Sequence, residues 1–228
     1  MRFHLLKFGC MAALLMLGLG TAPARAQVDA EQQATVDKAV ETVNRFAADP
    51  DMQWFRNNVG KAKGILIVPV SVKGGFIIGG SGGIGVFLAR GEANDWSDPA
   101  FYQLVSVTFG LQAGGDVSEI MMLVMSEKGR NALLTTEFKL GGEISVAAGP
   151  VGAGAEAQTA DVLAFSRTKG GVFGGLNVEG SVVNPKDDWN NLYYGQPITP
   201  SQILVSRTVT NPNAEPLRAA VSAAAGAR

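Results

Sequence analysis

Residues 65–86 read ILIVPVSVKGGFIIGGSGGIGV. The run ILIVPV is apolar and β-branched, and downstream of it Gly80-Ser81-Gly82-Gly83-Ile84-Gly85 satisfies the G-x-G-x-x-G pattern of a dinucleotide-binding loop. Such a loop works only where its glycines join a strand to a helix whose amino end holds a pyrophosphate. The next stretch of this chain, VFLARGEANDWSDP (86–99), has β-branched and aromatic residues, then turn residues, and no helical period. The glycines are therefore read as strand glycines, placed where a strand must bend, twist or pass close to another backbone. No cofactor is expected.

Working outward, the chain reads as many short strands: Ile65 to Val70, Phe76 to Ile78, Ile84 to Leu88, Tyr102 to Leu111, Val117 to Met125, Phe138 to Ala148, Val162 to Arg167 and Leu176 to Val183. Close spacing and glycine or turn residues between them predict an antiparallel sheet, strongly curved or closed like a barrel. Helices are expected mainly at the ends. Val36, Val40, Val43 and Ala47 recur at helical spacing behind a capping box at Asp29 and Gln32, and Asp49-Pro50 closes that helix. DMQWFRNN (51–58) reads as a second short helix and SEKGRNALL (126–134) as the one interior helix. Thr199-Pro200-Ser201-Gln202 is a capping box with proline at the first helical position. AEPLRAAVSAAAG (214–226) reads as a last, frayed helix. The fold class is α+β, a glycine-rich curved antiparallel sheet with terminal helices.

The first residues have Arg2 and Lys7, an apolar run from Met11 to Leu19, and Ala24-Arg25-Ala26, which reads as a signal peptide cut after Ala26. Cys10 precedes the apolar run, whereas a lipidated cysteine would stand after it. The expected location is the periplasm or cell envelope. Cleavage removes the only histidine, His4, and the only cysteine, Cys10, so Ser-His-Asp catalysis, thiol chemistry and nitrogen or sulfur metal sites are excluded from the mature form. Three of 19 basic residues leave with the leader while all 20 acidic ones stay, which gives a mature charge of −4. Nucleic acid is not an expected partner. The chain thus divides into a signal peptide over 1–26, an N-terminal helical segment over 27–60, a domain over 61–205 and a C-terminal tail or helix over 206–228.

Without histidine and cysteine an enzyme would need carboxylates, lysine, serine or tyrosine, and a pair among Asp116, Glu119, Glu143, Glu156, Asp161 and Glu179, in or beside strands, would be the acid and base of a glycosidase. Alternating polar positions on a half-solvated sheet account for them better, and no enzyme is expected. Met121, Met122 and Met125 read as core, and the Asp187-Asp188 pair reads as a turn or helix start. The cations are more informative. Lys73-Gly74-Gly75-Phe76, with the glycines after it, is echoed by Lys169-Gly170-Gly171-Val172. Lys61, Lys63 and Lys73 flank the first strand, and Arg167 and Lys169 precede the second glycine copy. With the copies side by side, these five would gather at one end of an apolar sheet, where they would hold anionic lipid headgroups.

In order, AKGILIVP, KGGFIIGGSGGIGVFLAR, WSDPAFYQL, GLQAGGDVSEIMMLVMS, LGGEISVAAGPVG, SRTKGGVFGGLNVEGSVV and NNLYYGQPITPSQIL resemble the SYLF domain family from about Ala62 to Leu204. The resemblance implies a non-enzymatic lipid-binding module. Eukaryotic members bind phosphoinositides and membranes, fungal ones also bind actin, and bacterial ones are typically exported single domains. An exported protein does not meet actin, so anionic lipid or a membrane surface is the expected partner and an envelope protein the alternative. Eukaryotic members use an amphipathic helix ahead of the domain for membrane contact. Here the Asp29–Asp49 helix carries Lys38 and Arg45 against Asp29, Glu31, Asp37, Glu41 and Asp49, an acidic balance that does not suit that role.

Overall fold

A computed structural model of the chain describes residues 24–75, 78–109, 116–134, 137–142, 144–149, 159–168 and 180–226. Its helices are α1 (Ala24–Ala48), α2 (Gln53–Val59), α3 (Glu127–Ala132), α4 (Asp187–Tyr194), α5 (Pro200–Leu204) and α6 (Glu215–Gly226). Its strands are β1 (Gly64–Gly75), β2 (Ile78–Ala89), β3 (Ala100–Phe109), β4 (Asp116–Val124), β5 (Phe138–Lys139), β6 (Val146–Gly149), β7 (Val162–Thr168) and β8 (Val182–Pro185). The eight strands form one sheet in the order β5-β8-β3-β2-β1-β4-β7-β6.

That order forces curvature. The edge strands β5 and β6 are joined by residues 140–145 alone, and seven steps of extended chain reach at most about 25 Å. Eight flat strands at about 4.8 Å spacing would hold those edges roughly 34 Å apart. The sheet must curl, and it does so as a half-barrel. Gly141, at a φ of 84°, turns the chain between the edges, and Leu140 bridges to Ile144. The concave face is identified by its packing, because Phe138, Leu140 and Ile144 from the edge region share one buried cluster with Leu66, Val68, Phe87, Tyr102 and Leu104 of the central strands.

The convex face carries the alternate residues Ile65, Ile67, Val86, Leu88, Met121, Leu123, Leu163 and Phe165 beneath the terminal helices. Both faces of β1 are buried over Ile65–Val68, which is why ILIV reads as a continuous apolar run. Helix α1 lays Val36, Ala39, Val43 and Phe46 on that face, all fully buried. It is a core helix. It begins at Ala24 rather than at the Asp29 box, because the alanine-rich residues ahead of Asp29 favour helix. The C-terminal helix α6 is not frayed either, since Leu217, Val221 and Ala224 are buried.

Two features of the sheet differ from the sequence-based expectation. The sheet is mixed, because β6 pairs with β7 in parallel while every other pair is antiparallel. Twelve residues, 150–161, separate these two strands, enough for a crossover rather than a hairpin. The glycines also do not separate strands. β1 continues through Lys73-Gly74-Gly75, and β2 includes the whole Gly80–Gly85 pattern before leading to β3, so the motif has no strand-to-helix turn. A Cβ at Gly83 would collide with the Val70 carbonyl oxygen and stand 2.7 Å from Val68 Cγ1; one at Gly85 would collide with the Ile67 oxygen and stand 2.8 Å from Val68 Cγ2. Bare backbone is required where coiled β2 crosses the bulge of β1 between residues 67 and 72.

Candidate functional site

The ends of β1, β2 and β4 meet beside α3. The ladder runs one residue past β1, with the Lys63 N–H donating to Val124 O (2.7 Å) and the Arg90 N–H donating to Lys63 O (2.9 Å). This sets Lys63 between the end of β2 and the end of β4. Helix α3 starts after a two-residue gap from β4, capped by Ser126, whose Oγ accepts from the Gly129 N–H at 3.0 Å. The Ser126 hydroxyl donates in turn to Asp161. Glu127 and Arg130 of α3 are thereby delivered to Lys63, with Lys63 Nζ 3.4 Å and Arg130 Nη2 2.9 Å from the Glu127 carboxylate. Arg90 donates to Gly60 O, and its guanidinium lies 5.6 Å from the centre of the Trp96 ring, whose burial fixes it.

The result is a cleft of about 290 Å³ lined by Lys61, Lys63, Arg90 and Arg130 together with Glu92 and Glu127. Four cations face two carboxylates. One of those carboxylates, Glu127, is shared by Lys63 and Arg130. Arg90 Nε and Arg130 Nε are buried without a hydrogen-bond partner, so neither guanidinium is saturated by protein acceptors. The arrangement suits an anion that accepts several N–H bonds at once.

The five cations singled out in the sequence divide between the two ends of the sheet. Lys61 and Lys63 lie in this cleft. Lys73 is ten residues further along β1, about 33 Å at strand rise, in register with Ser81 of β2 and Asp116 of β4. Arg167 stands opposite Glu119, three residues from Asp116 on β4, so it shares the far end with Lys73. Lys169 lies outside the described residues. Lys73 and Arg167 thus stand at one end of the sheet and Lys61 and Lys63 at the other, because β1 runs from one end to the other; the second glycine copy lies outside the described residues. Sequence reasoning misses Arg90 and Arg130, since only the pairing of β1 with both β2 and β4 makes them neighbours of Lys63.

Arg167 is engaged within the protein. Its Nε donates to Asp49 Oδ2 at 3.1 Å and its Nη1 is 3.6 Å from Glu119 Oε2. Glu119 also accepts from Arg45 Nε at 2.9 Å and from Thr42 Oγ1 at 3.1 Å. This network ties the end of α1 to β4 and β7. The pKa of Arg45 is raised, chiefly by its hydrogen bond to Glu119. The network borders a second cleft of about 480 Å³ with Lys38, Val70 and Val117 at its rim, in which Arg45 and Arg167 are already paired.

Among the described residues, the candidate carboxylates Asp161 and Glu119 are not brought together. Asp161 sits beside Met125 at one end of β4 and Glu119 six residues away, about 20 Å, well beyond the separation that a glycosidase pair requires. Asp161 accepts from Ser145 N–H (3.1 Å) and Oγ–H (3.0 Å) as well as from Ser126. Burial would lift its pKa, and these donors outweigh burial and hold it below the ordinary value. Asp116 is in β4, and Glu143, Glu156 and Glu179 lie outside the described residues.

Comparison with known proteins places the chain. The family described as "Ysc84: Las17-binding protein actin regulator" matches residues 105–224, more than half of the chain. Protein YSC84 of Saccharomyces cerevisiae is 34% identical over 167 residues, 69% of this chain and 35% of that protein. LAS seventeen-binding protein 3 of the same species is 32% identical over 69% of this chain and 36% of its own length. Human SH3 domain-containing YSC84-like protein 1 is 30% identical over 74% of this chain and 50% of that protein. The chain therefore spans about a third to a half of the length of these relatives. An α+β half-barrel with helices at its ends, matched over this length, belongs to the Ysc84 (SYLF) family.

Proposed function

We propose that this protein is a non-enzymatic, exported module of the periplasm or cell envelope that binds anionic lipid, with the headgroup held in the cleft of Lys61, Lys63, Arg90 and Arg130. The carrying observation is the convergence of these four cations around two carboxylates, in a chain whose expected mature form is acidic overall. Such a local excess attracts an anionic surface against the net charge of the protein. Arg167 takes a smaller part, because it is neutralised by Asp49 and Glu119. The contact differs from one made by an amphipathic helix, since α1 is committed to the core.

The description of the family names Las17 and actin, and one relative is named for binding LAS seventeen. If export is as expected, actin is out of reach, and an envelope protein on a sheet edge is the alternative partner. Purification from the native envelope and native mass spectrometry of the product test the proposal. A co-bound anionic phospholipid is the expected result. A stable protein partner with no lipid would favour the alternative.

A further inference from the structure

We infer that the cleft selects a phosphomonoester dianion over the monoanionic phosphodiester that ordinary phospholipids carry. This rests on the lipid-binding reading and goes further, because it assigns the cleft a preferred charge state and adds Arg90 and Arg130 to the residues that read it. Lys61, Lys63, Arg90 and Arg130 against Glu92 and Glu127 leave an excess of two positive charges. A dianion cancels that excess and a monoanion leaves half of it.

The donors fit the same group. Arg90 is held in place by Gly60 O and Trp96, and Arg130 by Glu127, so their remaining N–H groups are preorganised rather than recruited on binding. A terminal phosphate offers three oxygens to such a set, whereas a diester has two of its four oxygens esterified. The cleft, at about 290 Å³, is sized for a headgroup rather than for acyl chains. A lipid bearing a terminal phosphate and a small soluble phosphate ester present the same chemistry, and the test separates them.

The test has a soluble arm and a vesicle arm, both with the mature protein beginning at Gln27. In the soluble arm, glycerol 3-phosphate is titrated calorimetrically at pH 5.5 and 7.5, with sulfate, dianionic at both, as the control for titration of the protein. With a second phosphate pKa near 6, the dianion fraction rises about fourfold across this range, and affinity for the ester should rise about fourfold relative to sulfate. In the vesicle arm, phosphatidic acid and phosphatidylglycerol are compared in phosphatidylcholine vesicles matched for zeta potential. At least fivefold preference for phosphatidic acid is expected, removed in the Lys61→Gln/Lys63→Gln/Arg130→Gln variant. Those positions are partly exposed, so folding is checked by circular dichroism, and Lys61→Gln alone provides a milder step in the same direction. Preference for phosphatidic acid without measurable glycerol 3-phosphate binding assigns the ligand to lipid; equal strength in both arms assigns it to a soluble ester. Equal binding of both lipids at matched potential overturns selectivity while leaving anionic lipid binding intact. A preference that survives in the variant overturns the cleft as its source, and no binding to either lipid removes both readings.

Discussion

Substituting Gly83 or Gly85 with alanine should destabilise the protein, although alanine is ordinarily the better strand residue. Glycine loses more backbone entropy on folding, and replacing it where the conformation allows gains roughly 0.4–1 kcal/mol. Neither glycine has a left-handed backbone, so the effect must come from contact. The new methyl group at 83 would meet the Val70 carbonyl, with the Val70 carbon at 3.1 Å, and at 85 the Ile67 carbonyl, with its carbon at 3.0 Å. These are backbone atoms of the paired strand and cannot rotate away. Relief requires β1 and β2 to separate beside the fully buried Ile67, and overpacking of this kind costs typically 1–3 kcal/mol. The net expectation is about 1–2 kcal/mol of destabilisation, or a melting temperature lower by roughly 2–8 °C for a domain of this size. Gly142, where an added Cβ meets nothing within 4 Å, is the control and should be neutral or slightly stabilised as alanine. Urea unfolding monitored by tryptophan fluorescence measures all three. If Gly83→Ala and Gly85→Ala are as stable as Gly142→Ala, the close approach of β1 and β2 is not what the glycines serve.

Glu119→Gln should cost about 1–3 kcal/mol, because it leaves Arg45 and Arg167 short of their shared, mostly buried acceptor; a change below about 0.5 kcal/mol in urea unfolding would show that the network is dispensable. Asp161 has a folded-state pKa below its ordinary value, so its contribution is present in full above the ordinary value and is lost as pH falls from there through the folded-state one. Ser145→Ala should therefore be less stable than wild type at pH 6 by more than at about pH 3, and an unchanged gap would mean that the hydroxyl does not act through Asp161. Intact mass of the exported protein should correspond to a chain beginning at Gln27 without an acyl group; a species beginning at Cys10 with lipid mass would contradict the export reading.

Local signals carried much of this architecture. The Thr199 capping box forms as its sequence implies, with Thr199 Oγ1 accepting from the Gln202 N–H and the Gln202 side chain accepting from the Thr199 N–H. Strand identity was legible in Ile65 to Val70 and Val117 to Met125 because both hold β-branched and apolar runs, whose inner parts, Ile65–Val68 and Ile120–Val124, are covered on both faces. Strand boundaries were not legible around Gly79 and Gly80. Glycine reads locally as a break, yet here it continues β2, and the reason lies in the neighbouring strand. Phe138 to Ala148 looked like one strand and is two short edges with a turn at Gly141, since its apolar residues serve the closing of the half-barrel rather than one ladder. Leu217 and Val221 show the same limit: an alanine-rich tail looks frayed until α1 is seen to cover it. For the cleft, Lys61 and Lys63 were visible as a pair. Arg90 and Arg130 lie 27 and 67 residues beyond Lys63, and only sheet order joins them to it.

The measurement that bears most directly on anionic lipid binding is vesicle co-sedimentation of wild type and the Lys61→Gln/Lys63→Gln/Arg130→Gln variant, at about 50 and 300 mM salt, with phosphatidylglycerol and with phosphatidylcholine. Each cation near an anionic surface contributes on the order of 1 kcal/mol, and Arg130 and Lys63 are partly offset by Glu127. Partitioning of the variant should fall roughly tenfold to a hundredfold. Binding of the wild type should weaken as salt shortens the Debye length, and the neutral vesicles should bring down neither protein. Equal sedimentation of both proteins with both vesicle types, or none with phosphatidylglycerol at low salt, would contradict anionic lipid binding through this cleft.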